Sequence, residues 1–217
     1  MPGMEKSITT EDYLKIIDEL TKYKGCATLT EIANRLRTKR QSAYDEIKIL
    51  EGRGLVIRQS RGRYVLSEMG QVEANLFLRK HRLAEVLLWK GLGMPWEVLD
   101  DQAMGIEHGI TEEMAERICS TYGCDRCPHG NPIPDREGRC QEPADIKLSS
   151  VPSGSVLRLT RVIYETSEIL SFLTENNMYP GSIIGVKRKG VITVPVTKRE
   201  IEIPEKVSMA LRFERLF

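Results

Sequence analysis

Apolar and polar residues alternate along this chain with two different periods, and the changes of period divide it. Over TTEDYLKIIDELTKYKG, Leu14, Ile16, Ile17 and Leu20 form a helical stripe opened by a Thr cap and closed by Gly25. LTEIANRLR predicts a second helix, with Thr30 as candidate cap and Ile32, Ala33 and Leu36 inward. After a break at Thr38-Lys39-Arg40, QSAYDEIKILEGRGL predicts a third helix burying Ala43, Ile47 and Leu50. The period then shortens to that of strands, and LVIRQSRGRYVLSEMG reads as a hairpin turning at Ser60-Arg61-Gly62. Helical spacing returns in QVEANLFLRKHRLAEVLLWKGLG, in PWEVLDDQAMGIEHGI, entered at Pro95, and in TEEMAERICSTYG, capped by Thr111. From Leu148 the chain becomes short β-rich runs, SVLRLTRVIY, GSIIGVKRKG, VITVPVTKREIEIP and SMALRFERL, with SEILSFLTENN as one helix among them.

These elements predict a mainly α fold over the first two-thirds, followed by a small SH3-like β-barrel. Residues 1–68 form a winged helix-turn-helix, 69–140 a helical dimerisation and metal-binding domain, and 150–217 the barrel. A linker covers 141–149 within a stretch, 128–150, rich in Pro, Gly and charge.

Charge sharpens the first domain. The net charge of +1 conceals a segment from Arg35 to Arg63 with nine Lys/Arg against three acids, and one from Trp96 to Asp125 with eight acids against one base. Two solvated helical faces would account for this, as would one surface for phosphates and another for cations. Position favours the second. Lys39, Arg40, Gln41, Ser42 and Tyr44 crowd the start of the third helix, the end that enters a major groove in helix-turn-helix proteins, while Arg58, Arg61 and Arg63 line the hairpin. Composition is that of a soluble globular protein, with no run near ~18 apolar residues and no apolar leader at the N-terminus. A cytoplasmic protein without membrane contact is expected.

The candidate chemistry is metal binding. The chain has three histidines, and a lone histidine is usually structural. Two of these, however, lie beside carboxylates at helical spacing: His81 with Glu85 at i, i+4, and Glu107 with His108, Met104 one turn earlier. Imidazole with carboxylate suits Fe²⁺, Mn²⁺ or Zn²⁺, and a thioether moves preference towards softer ions. Five cysteines, an odd number, argue against a disulfide framework. Cys119, Cys124, Cys127 and Cys140 form a candidate third site for structural Zn²⁺ or an iron–sulfur cluster. Redox-sensitive thiols and inert buried cysteines are the alternatives, and Cys26 reads as a core residue.

The order TTEDYLKIIDEL, helix-turn-helix, LRKHRLAEVLL, GIEH, CPHGNPIP resembles the diphtheria toxin repressor family, including its manganese-responsive branch, over essentially the whole chain. The section from Gly154 resembles the SH3-like, FeoA-type domain of longer members. The resemblance implies a metal-activated homodimeric transcriptional repressor that binds double-stranded operator DNA and controls metal uptake. It implies an activating site of Asp12, Met104, Glu107 and His108, and an ancillary site of His81, Glu85, Asp100, Glu165 and Glu168. Met104 stands where iron-responsive members have Cys and manganese-responsive ones Glu, and Lys15 where the manganese branch has Glu. Together these favour Fe²⁺ over Mn²⁺. At the recognition helix Asp45 and Gln41 depart from the family pattern, so its operator does not transfer. The barrel is a candidate partner for the chain's own DNA-binding domain. A metalloenzyme is disfavoured, because HExxH, a P-loop and a nucleotide fingerprint are all missing. A storage or trafficking module, or a thiol redox sensor whose DNA binding is not metal-gated, is the alternative.

Overall fold

A computed structural model of the chain describes residues 9–194 and 199–217. Part of the predicted run VITVPVTKREIEIP, residues 195–198, lies outside the described residues. The chain forms two compact units, one running to Leu78 and taking in Asp135–Arg139, the other comprising Arg79–Pro134 and Cys140–Phe217.

In the first unit, α1 (Thr10–Lys24), α2 (Leu29–Arg35) and α3 (Arg40–Gly52) are followed by the hairpin β1 (Val56–Ser60) and β2 (Arg63–Leu66). Helix α1 starts at a reciprocal box in which Thr9 caps the Asp12 amide and Asp12 accepts from the Thr9 backbone; it stops at Gly25, whose φ of 92° is left-handed. The second helix starts two residues earlier than a Thr30 cap would allow. Thr28 is its cap, in a second box with Glu31, because only a residue three before an acid can close both hydrogen bonds. Replacing Thr28 by Ala should therefore cost ~1 kcal/mol in chemical denaturation, whereas Thr30→Ala should cost little; the reverse ranking would overturn the assignment. Leu14, Ile16, Ile17, Ile32, Ala43, Ile47 and Leu50 make the core. Leu36 is only half-buried. Tyr64 of β2 exchanges two 2.9 Å backbone hydrogen bonds with Ala27, which stitches the wing to the start of α2.

Helix α4 (Glu68–Val86) continues into a π-helical turn, Leu87–Gly91. The predicted single helix after Pro95 is instead three pieces: a 3-10 turn at Trp96–Val98, α5 (Leu99–Ile106) and a 3-10 turn at Glu107–Gly109. Helix α6 (Glu112–Tyr122) is capped by Thr111 as expected.

The C-terminal elements are β3 (Val156–Val162), α7 (Ser167–Glu175), β4 (Ile183–Arg188), β5 (Val191–Val194), β6 (Arg199–Glu202), α8 (Glu205–Ala210) and β7 (Leu211–Arg215). They build an antiparallel sheet of order β6-β5-β4-β3-β7, the SH3-like fold. The run SMALRFERL is thus half helix, half strand. Segment 141–149 is also docked: Ile146 pairs with Phe213 of β7, while Asp145 and Glu142 hold Arg161 at 2.7 Å each.

Candidate metal centre

Three segments of the second unit converge on one buried cluster: α4, the start of α5, and the loop 127–131 with Glu165 beside it. Helix α4 supplies His81 and Glu85, one turn apart on one face, both buried. Asp100 comes from the first turn of α5 and is buried. The loop supplies Cys127 and His129, buried as well.

This loop is held from two sides. On α4, Arg79 and Arg82 donate to the carbonyls of Pro134 (2.9 Å) and Pro132 (2.5 Å). On β3, the Val162 amide donates to the His129 carbonyl at 2.9 Å, and the Asn131 amide group donates to both the Val162 carbonyl and Glu165, 2.6 Å each. Gly130 makes the approach possible: its φ is +87°, and a Cβ there would stand 2.2 Å from the Thr160 carbonyl oxygen.

The imidazoles are oriented by their outer nitrogens. Nε2 of His129 is 3.2 Å from the Trp96 carbonyl oxygen, which can only accept, so that nitrogen carries a proton. Nδ1 of His129 then faces two carboxylates, Glu85 at 2.8 Å and Glu165 at 2.7 Å. The Trp96 ring lies edge-on to the imidazole at 4.7 Å, and its indole N–H donates to the Pro128 carbonyl. His81 is arranged in the mirror sense: Nδ1 lies 2.5 Å from Glu107, while Nε2 faces Asp100 at 3.3 Å and Glu85 at 3.6 Å. In both rings one nitrogen is spent on an acceptor and the other is turned towards shared acids, the pattern of metal-ligating histidines.

Electrostatics agree. Burial by itself would raise Glu85, but His129 and then His81 hold it well below the usual carboxylate range. Burial would lower His129, yet Glu165 and Glu85 raise it well above its ordinary value. Burial and the Glu85 charge push Glu165 up to about 7 and the Cys127 thiol up to about 12. In effect the cluster holds more negative groups than it can neutralise without a cation, and protons take that role where no ion does. One buried oxygen, Oε2 of Glu85, has no hydrogen-bond partner. The donors fall into two sets, each mutually within 4.8 Å: His81, Glu85, Asp100 and Glu165; and Glu85, Cys127, His129 and Glu165. Such spacing fits ligands around one ion at bonds of about 2.0–2.3 Å. The residues fit a divalent cation.

The first set contains four of the five expected ancillary residues. Glu168 is the exception: in the first turn of α7 it is exposed and ion-paired with Lys206. Cys127 and His129 were missed as partners of this cluster, because Cys127 reads with the other cysteines as a third site and His129 falls in the Pro/Gly-rich stretch 128–150; the signal was the Cys-x-His spacing in CPHG. The four-cysteine set does not assemble among the described residues. Cys127 turns to His129, Cys119 contacts Cys124 and Arg79, and Cys140 points at the Pro132 carbonyl.

Of the expected activating residues, Asp12 lies in the first unit, where its carboxylate completes the α1 cap. Met104, Glu107 and His108 lie in the second, Glu107 buried and the other two half-buried. Since residues 107–109 form a 3-10 turn, Glu107 and His108 do not continue the α5 face; the tighter turn swings Glu107 inward to His81. On the nucleic-acid side, Lys39, Arg40, Gln41, Ser42, Arg58, Arg61 and Arg63 are exposed and Tyr44 half-buried. Gln41 donates to Asp45 at 2.9 Å, an exposed i, i+4 pair on the recognition helix.

The comparisons with known proteins point the same way. The family described as iron dependent repressor, metal binding and dimerisation domain, matches residues 67–135. The solved structure of T. acidophilum IdeR superposes with a TM-score of 0.93 at 47% identity, covering 97% of this chain and 99% of that one. The iron-dependent repressor IdeR of Mycobacterium tuberculosis (strain ATCC 25618 / H37Rv) is 29% identical over 225 residues, 96% of this chain and 97% of that protein. The diphtheria toxin repressor of Corynebacterium diphtheriae is 28% identical over 220 residues, with the same coverage. A winged helix, a buried histidine–carboxylate cluster on α4 and an SH3-like sheet, matched end to end by these proteins, make the chain a member of the diphtheria toxin repressor family of iron-dependent repressors.

Proposed function

We propose that this protein is a divalent-metal-activated transcriptional repressor that binds operator DNA as a homodimer, with Fe²⁺ as its favoured ion and Mn²⁺ as the second choice. The observation that carries this reading is the joining, in one chain, of an exposed basic recognition helix to a buried cluster that calls for cations. His81, Glu85, Asp100 and Glu165 would hold an ancillary ion; Asp12, Met104, Glu107 and His108 would hold the activating one. A bound cation supplies positive charge that neutralises clustered carboxylates and ties together the segments bearing them.

This chain's residues supply the remainder. Glu107 lies 2.5 Å from His81 Nδ1, so the ancillary cluster and the activating turn meet at one side chain. An ion that binds the DNA-competent arrangement more tightly shifts the population towards it, by a coupling of ~1–3 kcal/mol in such switches. Titrating Fe²⁺, Mn²⁺, Zn²⁺ and Co²⁺ anaerobically against the protein's own promoter fragment tests the reading. Retardation that ignores every metal would overturn it.

The wing gives a separate prediction. Arg61→Ala should weaken binding to promoter and unrelated DNA alike and flatten the log K against log salt slope by ~1, the signature of one lost phosphate contact. An unchanged slope would remove Arg61 from the interface. A thiol-redox reading finds some support in the Cys119–Cys124 contact, but burial and Cys124 push the Cys119 thiol up to about 11, leaving little reactive thiolate.

A further inference from the structure

We propose that Asp45, held in place by Gln41, reads cytosine, so that each half-site of the operator carries a C·G pair where this acid enters the major groove. This rests on the operator-binding reading above and adds what the recognition helix selects.

The first support is the direction in which the two side chains face. Ala43, Ile47 and Leu50 bury one side of α3. At ~3.6 residues per turn, Gln41 and Asp45 fall on the opposite side, and both are exposed. That is the side a helix-turn-helix protein lays into the groove. Gln41 Nε2 donates to Asp45 Oδ1 at 2.9 Å, which ties two successive turns together at this face.

The second support is that Asp45 is out of place electrostatically. From Arg35 to Arg63 the chain has nine Lys/Arg and three acids. Glu46 is half-buried and accepts from Thr10 Oγ1 at 2.9 Å, and Glu51 is half-buried as well. Asp45 is therefore the exposed acid among the described residues of that segment. The helix dipole does not account for it, since that effect fades beyond the first turn and the first turn of α3 holds no acid. Lys48 lies one turn on, but its ammonium is over the Tyr44 ring, 4.8 Å from the centre. A carboxylate on a phosphate-facing surface is repelled by the DNA backbone. A base that donates a hydrogen bond to it offsets that repulsion and makes it selective.

The third support is the match of donors and acceptors. An ionised carboxylate only accepts. In the major groove the base donors are the amino groups of cytosine N4 and adenine N6. Adenine sets its N7 acceptor beside the amino group, where a second carboxylate oxygen would be repelled; cytosine has a C–H there. Cytosine is the better partner. Gln41 fixes Oδ1 and leaves Oδ2 to accept from the base, and its second amide N–H is suited to O6 or N7 of guanine. Acceptor and donor side by side thus complement the two bases of a C·G pair.

Selection of duplexes from a random-sequence library by the full-length protein, anaerobically with Fe²⁺, tests this when the bound fraction is sequenced. The parent should enrich a motif of two symmetric half-sites, each with a strongly preferred cytosine. Asp45→Asn should move that preference to adenine, because a side-chain amide pairs with adenine N6 and N7 together. Asp45→Ala should erase the preference at that position and leave the others. Fluorescence anisotropy on the selected duplex, against one with T·A in place of the C·G pair, should show a loss of ~10-fold for the parent and almost none for Asp45→Ala. Gln41→Ala should shrink the discrimination at the same pair without switching it. All three substitutions are at exposed positions, and circular dichroism melts check that each variant is folded; the two Asp45 variants serve as mutual substitutes. Half-sites without a preferred cytosine, or a cytosine preference that both Asp45 variants retain, overturn the proposal. A metal-dependent motif indifferent to Asp45 sinks the cytosine contact alone and leaves the repressor reading standing. A motif that switches with Asp45→Asn but forms without metal supports the contact and overturns the metal gating, whereas a parent that enriches no motif with any divalent ion overturns both.

Discussion

Glutamine in place of Glu107 should abolish metal-stimulated binding to promoter DNA while leaving the metal-free protein as stable as its parent. The expected loss is the whole of the coupling, ~5–150-fold in affinity at saturating metal. The reason for choosing glutamine lies at His81. Glu107 is buried, and its carboxylate accepts from the His81 ring at 2.5 Å. An amide oxygen preserves that acceptor while removing the negative charge a cation needs. Alanine would remove both, stranding a buried N–H at ~1–3 kcal/mol, and would mix a folding defect with a regulatory one. His108→Ala serves as the companion variant. Fluorescence anisotropy against Fe²⁺ or Mn²⁺, with denaturant unfolding of the apoprotein, separates the two effects. A Glu107→Gln protein that responds to metal like its parent would remove Glu107 from the activating site.

The second large effect is expected at Gly130. An alanine there would have to keep a φ of +87°, which costs an L-residue ~1–2 kcal/mol. Its Cβ would also meet the Thr160 carbonyl oxygen at 2.2 Å, backbone of β3 that moves only with the sheet. With overpacking of ~1–3 kcal/mol added, a destabilisation on the order of 3 kcal/mol follows. The loop should lift from β3 and take His129 and Cys127 with it. Metal titration should then show weaker binding at the buried cluster. Gly105→Ala is the control, because a Cβ there meets nothing within 4 Å; on α5 it should be neutral or stabilising by up to ~1 kcal/mol. Equal melting temperatures for Gly130→Ala and the parent would refute the argument.

Much of the fold was legible because it is local. The stripe in α1, the inward trio Ala43, Ile47 and Leu50, and the turn at Gly62 are read within a few residues of themselves. His81 with Glu85 was legible for the same reason, since helical spacing alone places them together. The misreadings came where a distant contact decides. Thr30 lost the cap to Thr28 because Glu31 must lie three residues on. Glu107 left the helix because a 3-10 turn directs it to His81, 26 residues away in sequence. His129 reaches Glu85 across 44 residues, through a loop whose Pro and Gly conceal how firmly it is held. Glu165 and Glu168 lie close in sequence, yet only the first faces inward, since α7 begins between them and turns the second to Lys206.

Trp96 gives the molecule an optical property of its own. It is one of two tryptophans, and it is buried with its ring edge-on to His129, whereas Trp89 is substantially exposed. A protonated imidazole in contact with an indole accepts an electron from the excited ring and darkens it; a neutral imidazole does so far less. Whatever displaces the proton from His129 Nδ1 therefore changes the blue-shifted part of the emission and leaves the red-shifted part alone. The state of the buried cluster can be read in the unlabelled protein, in real time, from the colour of its fluorescence.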